Sequence, residues 1–346
     1  MRHRFGSVAA AAVLAAGCTG VFVGPNEPLE GSALFEYVWR DLDRHYAFFI
    51  VKAVNWDSLH DVYAPRAAQA GTDAELADVI GAMLAELRDL HVNLVVGTRV
   101  YRYSGYDARP MFFDSVVVRT RYATDIQLAP DGRVQFGHAA PDVGYVRIPS
   151  FRGTSPGSDL DAAMAQLGDV RALIVDVRSN TGGSRENGLE IAGRFADRER
   201  IYGLAQFRDG PGHAEFTPLE PRLVTPVGAR RFERLVTVLT NRRSYSAAES
   251  FVLAMRALPT VVVIGDSTGG ASGAPLAREL PNGWTYRLSV SVEYTADSTV
   301  YESVGLAPDV WVRGSAAELA AGRDAVLDTA LAVIRRVLPS GVVARP

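Results

Sequence analysis

The stretch LVTVLTNRRSYSAAESFVLAM places Ser246 where a run of buried-strand character ends and a helix begins. A hydroxyl at that junction lies at the carboxyl edge of a sheet, beside helix-start amides that have no partner inside the helix. That edge is where α/β sheets carry their sites. The same residues also fit a plain helix start, with Ser244 or Ser246 as N-cap and Glu249 closing a capping box. A second stretch, ALIVDVRSNTGGSRENG, ends another buried strand in Asn180-Thr181-Gly182-Gly183 before a further helix. Adjacent glycines let bare amides approach a reacting oxygen, or simply turn the chain. If the two strand ends are neighbours in one parallel sheet, the Ser246 hydroxyl, the Ala247 amide and the amide of Gly182 or Gly183 surround one carbonyl. Each such donor is worth about 3–4 kcal/mol to an oxyanion.

A serine hydroxyl at its ordinary pKa is a weak nucleophile and needs a base. Lys52 is the only lysine in the chain, and arginine stays protonated. Unless Lys52 serves, the base is a histidine. Of the six histidines, His3 lies in the leader, and His45, His60, His138 and His213 sit in helical or loop contexts without a distinctive neighbourhood. His91, in LRDLHVNLV, stands at a helix-to-strand junction from which a side chain can project; a half-buried structural histidine is the other reading. An orienting carboxylate is usual for such a base. Glu302, in VYESVGLAPDV, is a candidate that also reads as a solvated surface charge.

The elements that must position these groups follow from periodicity. Apolar residues recur at helical spacing over 32–63 (Leu34, Tyr37, Val38, Leu42) and over 72–89 (Leu76, Val79, Ile80, Met83, Leu84, Leu87), the second with Thr72 and Glu75 as a capping box. They predict an N-terminal helical subdomain over 32–96 whose last strand is VNLVV. Residues 97–141, with alternating segments such as DSVVVRT and a hairpin turn at Asp131-Gly132, predict a β-rich connector. From Val143, strands and helices alternate to the amphipathic helix near the C-terminus. This predicts an α/β core over 142–340, with its sheet covered on both faces.

The chain has 346 residues, 48% hydrophobic and 22% charged, enough to bury a sizeable core. Its net charge of −3 and the lack of basic runs interleaved with aromatics exclude a nucleic-acid partner. Residues 1–17 read as an export signal: Met-Arg-His-Arg, then the apolar run VAAAAVLAAG, too short to span a membrane. AAGC is similar to the bacterial lipobox, so Cys18, the only cysteine, is expected to be lipidated, with residues 18–31 as a tether. An ordinary secretory signal with an incidental cysteine is the alternative. An exported chain with no second cysteine has no internal disulfide and is held by core packing. The expected location is the bacterial cell envelope, anchored to a membrane and facing the periplasm, with Thr19 after Cys18 favouring the outer membrane.

Together these segments resemble the tail-specific, C-terminal-processing peptidase superfamily, on its tricorn-core branch, from about residue 32 to 338. DLDRHYAFF with VNWDSLHDVY resembles the family's N-terminal helical region, and LRDLHVNL its Leu-x-Asp-Gly-His segment. RSNTGG resembles its Arg-x-Asn-x-Gly-Gly turn, SYSAAE its Thr-x-Ser-Ala-Ala-Glu nucleophile motif, and YESVGLAPDVWV its Tyr-Glu-Gly-x-Gly-x-x-Pro-Asp segment. The resemblance implies a crotonase-like α/β core, Ser246 as nucleophile, His91 as general base and Glu302 as the catalytic acid. It also implies oxyanion amides from the glycine turn, a polypeptide substrate, and no metal or organic cofactor. The family's Ser-Lys branch places its lysine in a region that here reads STGGASGAP, without lysine, so the Ser-His-Glu type is expected.

Three departures stand out. Leu90 occupies the position of a serine that bridges histidine to glutamate in tricorn-type enzymes. About fifty residues between His91 and the first core strand are too few for a full PDZ module. The family also includes retinoid-binding modules that need no peptidase chemistry. A catalytically inactive, lipid-anchored binder of peptides or small ligands is therefore the rival to a peptidase, and a small-molecule esterase or amidase would use the same chemistry.

Overall fold

A computed structural model describes residues 30–105, 110–154 and 156–338; residues 1–29, with Cys18 and the expected leader, lie outside it. The first part is helical. Helix α1 (Ser32–His45) buries Leu34, Phe35, Val38 and Leu42 along one stripe. Helix α2 (Trp56–Gln69) starts at Asn55, whose side chain accepts from the Ser58 amide. Helix α3 (Asp73–Ala85) carries the expected Thr72–Glu75 capping box. The continuous helical reading of 32–63 does not hold. The chain turns out of α1 at Tyr46 into a loop, because Tyr46, Phe48 and Phe49 are all buried and cannot lie on one helical stripe.

Strands β1 (Asn93–Val96) and β2 (Arg99–Arg102) follow. The segment DSVVVRT coils instead of extending: α4 (Ser115–Val117) runs into a wide turn over Val118–Tyr122. Asp114 caps the Val116 amide at 2.7 Å, and the Thr120 hydroxyl donates back to the Val116 carbonyl. Those local bonds, with burial of Val117 and Val118, override the β-propensity of the valines. Strand β3 (Gln127–Leu128) and β4 (Gln135–Ala140) form the hairpin around Asp131-Gly132.

Next come β5 (Val143–Arg147), α5 (Gly157–Leu167), β6 (Ala172–Asp176), α6 (Arg185–Ala192), β7 (Arg200–Phe207), β8 (Glu220–Val224) and β9 (Leu235–Thr240). They are followed by α7 (Ala247–Arg256), β10 (Val261–Gly265), β11 (Pro275–Glu279), β12 (Thr285–Ser289) and β13 (Ser291–Thr295). The chain ends in β14 (Val310–Trp311), α8 (Ala316–Ala320) and α9 (Ala325–Val337). A seven-stranded sheet runs β14-β10-β9-β6-β5-β4-β3, parallel from β14 to β5 and antiparallel beyond. One face packs on α5, α6 and α7 through Leu160, Ile191, Phe251 and Val252; the other takes α9 through Leu327, Ala330 and Ile334.

A second core joins the helices to the antiparallel sheet β11-β12-β1-β2, where Trp284, Tyr286 and Leu288 meet Phe35, Trp56 and Met83. The N-terminal helices are thus completed by strands some 190 residues downstream of β1 (Tyr286 pairs with Leu94). Only Val290 separates β12 from β13, which belongs to the third sheet, β13-β7-β8. At the carboxyl edge of β6 the buried Arg178 guanidinium is clamped by Asp176 and by Asp324 at 2.8 Å. Asp324 also caps the first amides of α9. A buried cation between two carboxylates satisfies the rule that buried charges are paired. Among the described residues no helix is long and apolar enough to cross a membrane.

Candidate active site

Strand β9 ends at Thr240, and six residues later the chain enters α7 through Ser246, whose backbone (φ 62, ψ −129) lies in a region non-glycine residues avoid. The strain is held by the surroundings. The Tyr245 amide donates to the Asn180 carbonyl at 3.2 Å, and the Ser244 hydroxyl donates to the Val177 carbonyl at 2.7 Å. Glu249, fully buried, receives the Ser246 amide at 3.1 Å, the Thr268 hydroxyl at 2.6 Å, and the Gly270 and Ala271 amides at 2.8 Å each. Burial raises the Glu249 pKa, against the pull of those donors. Ser246 is therefore the N-cap of α7 and Glu249 its capping partner, as one reading of the sequence had it, while the serine hydroxyl itself meets a histidine.

That histidine is His91: its Nε2 lies 2.9 Å from the Ser246 hydroxyl oxygen. On the other side of the ring, Nδ1 lies 2.9 Å from the Ser272 carbonyl. A carbonyl only accepts, so Nδ1 carries the proton and Nε2 presents its lone pair to the hydroxyl. The His91 amide donates to Asp89 at 2.8 Å, and Asp89 also takes the Ser289 hydroxyl, which fixes the backbone that carries the ring. Burial pushes the His91 pKa below the ordinary histidine value, with Asp89 and the Ser272 carbonyl opposing it. The imidazole is consequently neutral at neutral pH, the form a proton acceptor requires.

The glycine turn packs directly on the serine. An added Cβ at Gly182 (φ 87) would stand 2.8 Å from the Ser246 Cβ and 2.9 Å from the Ala247 nitrogen; at Gly183 (φ 139) it would stand 2.4 Å from the Phe151 and Arg152 backbone. Only glycine fits either place. Asn180 shapes the turn, donating to the Ile148 carbonyl and accepting the Gly182 amide at 2.8 Å. The Gly182 N–H is thereby committed. The Gly183 and Ala247 amides donate to no protein acceptor among the described residues. Both residues line the cleft that holds Ser246 and His91, a cavity of 420 Å³ bordered by residues 271–276, Arg185, Arg287, Val290 and Glu293.

Glu302 is buried rather than solvated, and it does not touch His91. Its Oε2 accepts the Ser272 amide at 2.7 Å and the Ser272 hydroxyl at 3.0 Å; its Oε1 meets the Lys52 ammonium at 2.8 Å. Leu90 lines a different cavity, on the Lys52 side. Sequence reasoning missed Ser272, Asp89 and the pairing of Lys52. The lone lysine was the available signal, but its partner is 250 positions away.

Comparison with known proteins places the chain among peptidases. The model of peptidase family S41 matches residues 142–312, and that of the tricorn protease C1 domain matches residues 29–85. A solved structure of a candidate peptidase from Parabacteroides merdae is 36% identical, with 88% of this chain and 97% of that chain covered and a TM-score of 0.80. The carboxy-terminal processing protease CtpA of Bacillus subtilis is 26% identical over 171 residues, covering 49% of this chain and 34% of its own length. Carboxyl-terminal-processing peptidase 3 of Arabidopsis thaliana is 28% identical over 192 residues, 54% of this chain and 35% of its own. The match thus spans about a third of the length of these curated relatives. On the strength of both domain matches and of a relative covered over nearly its whole length, the chain belongs to peptidase family S41, a family of serine peptidases.

Proposed function

We propose that this protein hydrolyses peptide bonds of exported proteins or peptides through an acyl-enzyme on Ser246. The observation that carries the proposal is the 2.9 Å contact between the Ser246 hydroxyl and His91 Nε2, in a cleft bordered by two uncommitted amides. His91 takes the hydroxyl proton as the serine oxygen attacks the peptide carbonyl carbon, and the carbonyl oxygen becomes an oxyanion facing the amides of Ala247 and Gly183. The tetrahedral species collapses as His91 Nε2 returns the proton to the leaving nitrogen, releasing the new amine and leaving the ester. Water, deprotonated by the same nitrogen, attacks the ester, and the returning proton frees the Ser246 hydroxyl with the new carboxyl product. Two pre-aimed amides contribute roughly 3–4 kcal/mol each to this barrier reduction. Glu302, as the acid of the set, acts on His91 through Ser272.

We read the seven-stranded unit with its helices on both faces as the crotonase-like core, lying over 142–340 except for its antiparallel edge strands β3 and β4, which come from the preceding segment, and 32–96 as the helical subdomain. Residues 97–141 form the connector. Their short hairpins and helical turn support the absence of a PDZ module there. Lipidation at Cys18 and a place in the cell envelope facing the periplasm rest on the sequence of residues 1–31 alone.

Labelling by a fluorophosphonate probe checks the mechanism. Wild-type protein is expected to form one adduct, at Ser246, and to cleave casein; Ser246→Ala and His91→Ala should lose both by roughly 10⁴-fold or more. Cleavage of small esters with casein untouched would favour an esterase. A folded wild type that neither labels nor turns over would leave a binding protein.

A further inference from the structure

The lone lysine is engaged in a way the hydrolytic mechanism does not by itself require. Its ammonium has three N–H donors and three acceptors: Glu302 Oε1 at 2.8 Å, the Ser303 hydroxyl at 2.7 Å and the Arg88 carbonyl at 3.2 Å. Arg88 stands three residues before His91, and Ser303 directly follows Glu302. Lys52, from the loop between α1 and α2, therefore ties the segment bearing the base to the segment bearing the acid. Both anchoring residues are held in left-handed backbone, Arg88 at φ 47 and Ser303 at φ 65. Such a conformation is costly for a non-glycine residue and persists where the surroundings enforce it.

The pair is shielded, with the Lys52 and Glu302 side chains 8% and 1% exposed. A carboxylate so placed keeps its charge only beside a cation. Its second oxygen takes both the amide and the hydroxyl of Ser272, and the carbonyl of that residue takes Nδ1–H of His91. Were Glu302 to gain a proton, its charge-assisted bonds to the two Ser272 donors would weaken, and a proton on Oε2 itself would face those donors, so the carbonyl that orients the imidazole would lose part of its anchor. We infer that Lys52 is a positioning residue that keeps Glu302 ionised, and that Ser272 passes this hold on to His91. The inference rests on the Ser246–His91 reading of the site.

Burial raises the Glu302 pKa to about 7, Asp89 adds to the rise, and Lys52 pulls against it. The groups facing Glu302 are Lys52, Asp89 and the Tyr46 hydroxyl, whose pKa burial and the two carboxylates push well up, so it stays protonated. Arg88 and Glu86 border the 580 Å³ cavity into which the pair opens, away from the Ser246 cleft. The sign follows: a site that needs Glu302 ionised loses rate as pH falls through about 7. Without the lysine that limb moves to higher pH.

The test is the pH dependence of fluorophosphonate labelling and of kcat/KM in the full-length protein. It compares wild type, Lys52→Met, Glu302→Gln and the double variant, with carboxyl carbon NMR titration of ¹³C-labelled glutamate alongside. Lys52→Met is expected to raise the acid limb by about one unit and to lower the rate at pH 7 roughly fivefold. Glu302→Gln should lose the limb near 7, keep only the lower one at which His91 itself gains a proton, and run at a low rate, with the double variant within about twofold of it, since both act along one path. A folded Lys52→Met with an unmoved limb, or a double variant whose losses multiply, overturns the inference. If Lys52→Met does not fold, a folded Glu302→Gln that keeps the wild-type rate and limb overturns it equally. Failure of the wild type to label Ser246 would sink the peptidase reading instead, and the carboxyl titration would still report whether Lys52 holds Glu302 ionised.

Discussion

Ser246 and His91 touch, yet they are held by two different kinds of structure. The serine stands on a turn braced almost wholly from within the sheet core: Glu249 lies three residues on, and the Asn180 and Val177 carbonyls belong to the neighbouring strand end. The histidine stands at the edge of the helical core, and its supports arrive from Ser272, Ser289, Glu302 and Lys52, spread over most of the chain. A locally braced nucleophile should fail abruptly when a brace is removed. A base assembled from distant segments should lose performance by degrees.

The largest effect that would sharpen this contrast is expected at Glu249. Glu249→Ala strands four buried donors and should cost on the order of 3–5 kcal/mol in chemical denaturation, together with activity; a loss below about 1 kcal/mol would undo the idea of a locally braced turn. Gly182→Ala comes next. Its new methyl would press on the Ser246 Cβ and the Ala247 nitrogen, so turnover should fall about 100-fold while the melting temperature moves little. Retention of full activity would mean the turn can yield. The smallest effect belongs to the base side: Ser272→Ala removes one hydroxyl bond but leaves the amide on Glu302 and the carbonyl on His91. A loss of about 1 kcal/mol in kcat/KM, roughly fivefold, is expected, and a 100-fold loss would erase the distinction between the two sides.

The same contrast explains what could be read from the sequence. The nucleophile turn, the glycine turn and the helix α3 with its cap are contiguous patterns, in which strand run, turn residues and helix start follow one another within twenty positions. The choice between Gly182 and Gly183 was not legible, because it depends on the Asn180 side chain folding back onto the first of the two amides. The path from Glu302 to His91 was not legible either. It runs through a serine and a lysine with no sequence proximity to either group, in a stretch where Leu90 removes the bridge that the resemblance offered. The β11–β12 hairpin gave no sign that it completes the helical core, since its apolar residues look the same whichever core they enter. Where local and tertiary preferences conflict, as in DSVVVRT, burial and one aspartate cap outweighed three valines.

The ion pair of Lys52 and Glu302 joins an early part of the chain to a late one. If the orientation of His91 depends on this pair as inferred, the serine and the histidine are aligned only after synthesis has passed residue 302. Truncated products ending before residue 302 would be born without that alignment. If Ser246 attacks polypeptides as proposed, an unfinished copy lacks the alignment that this attack requires.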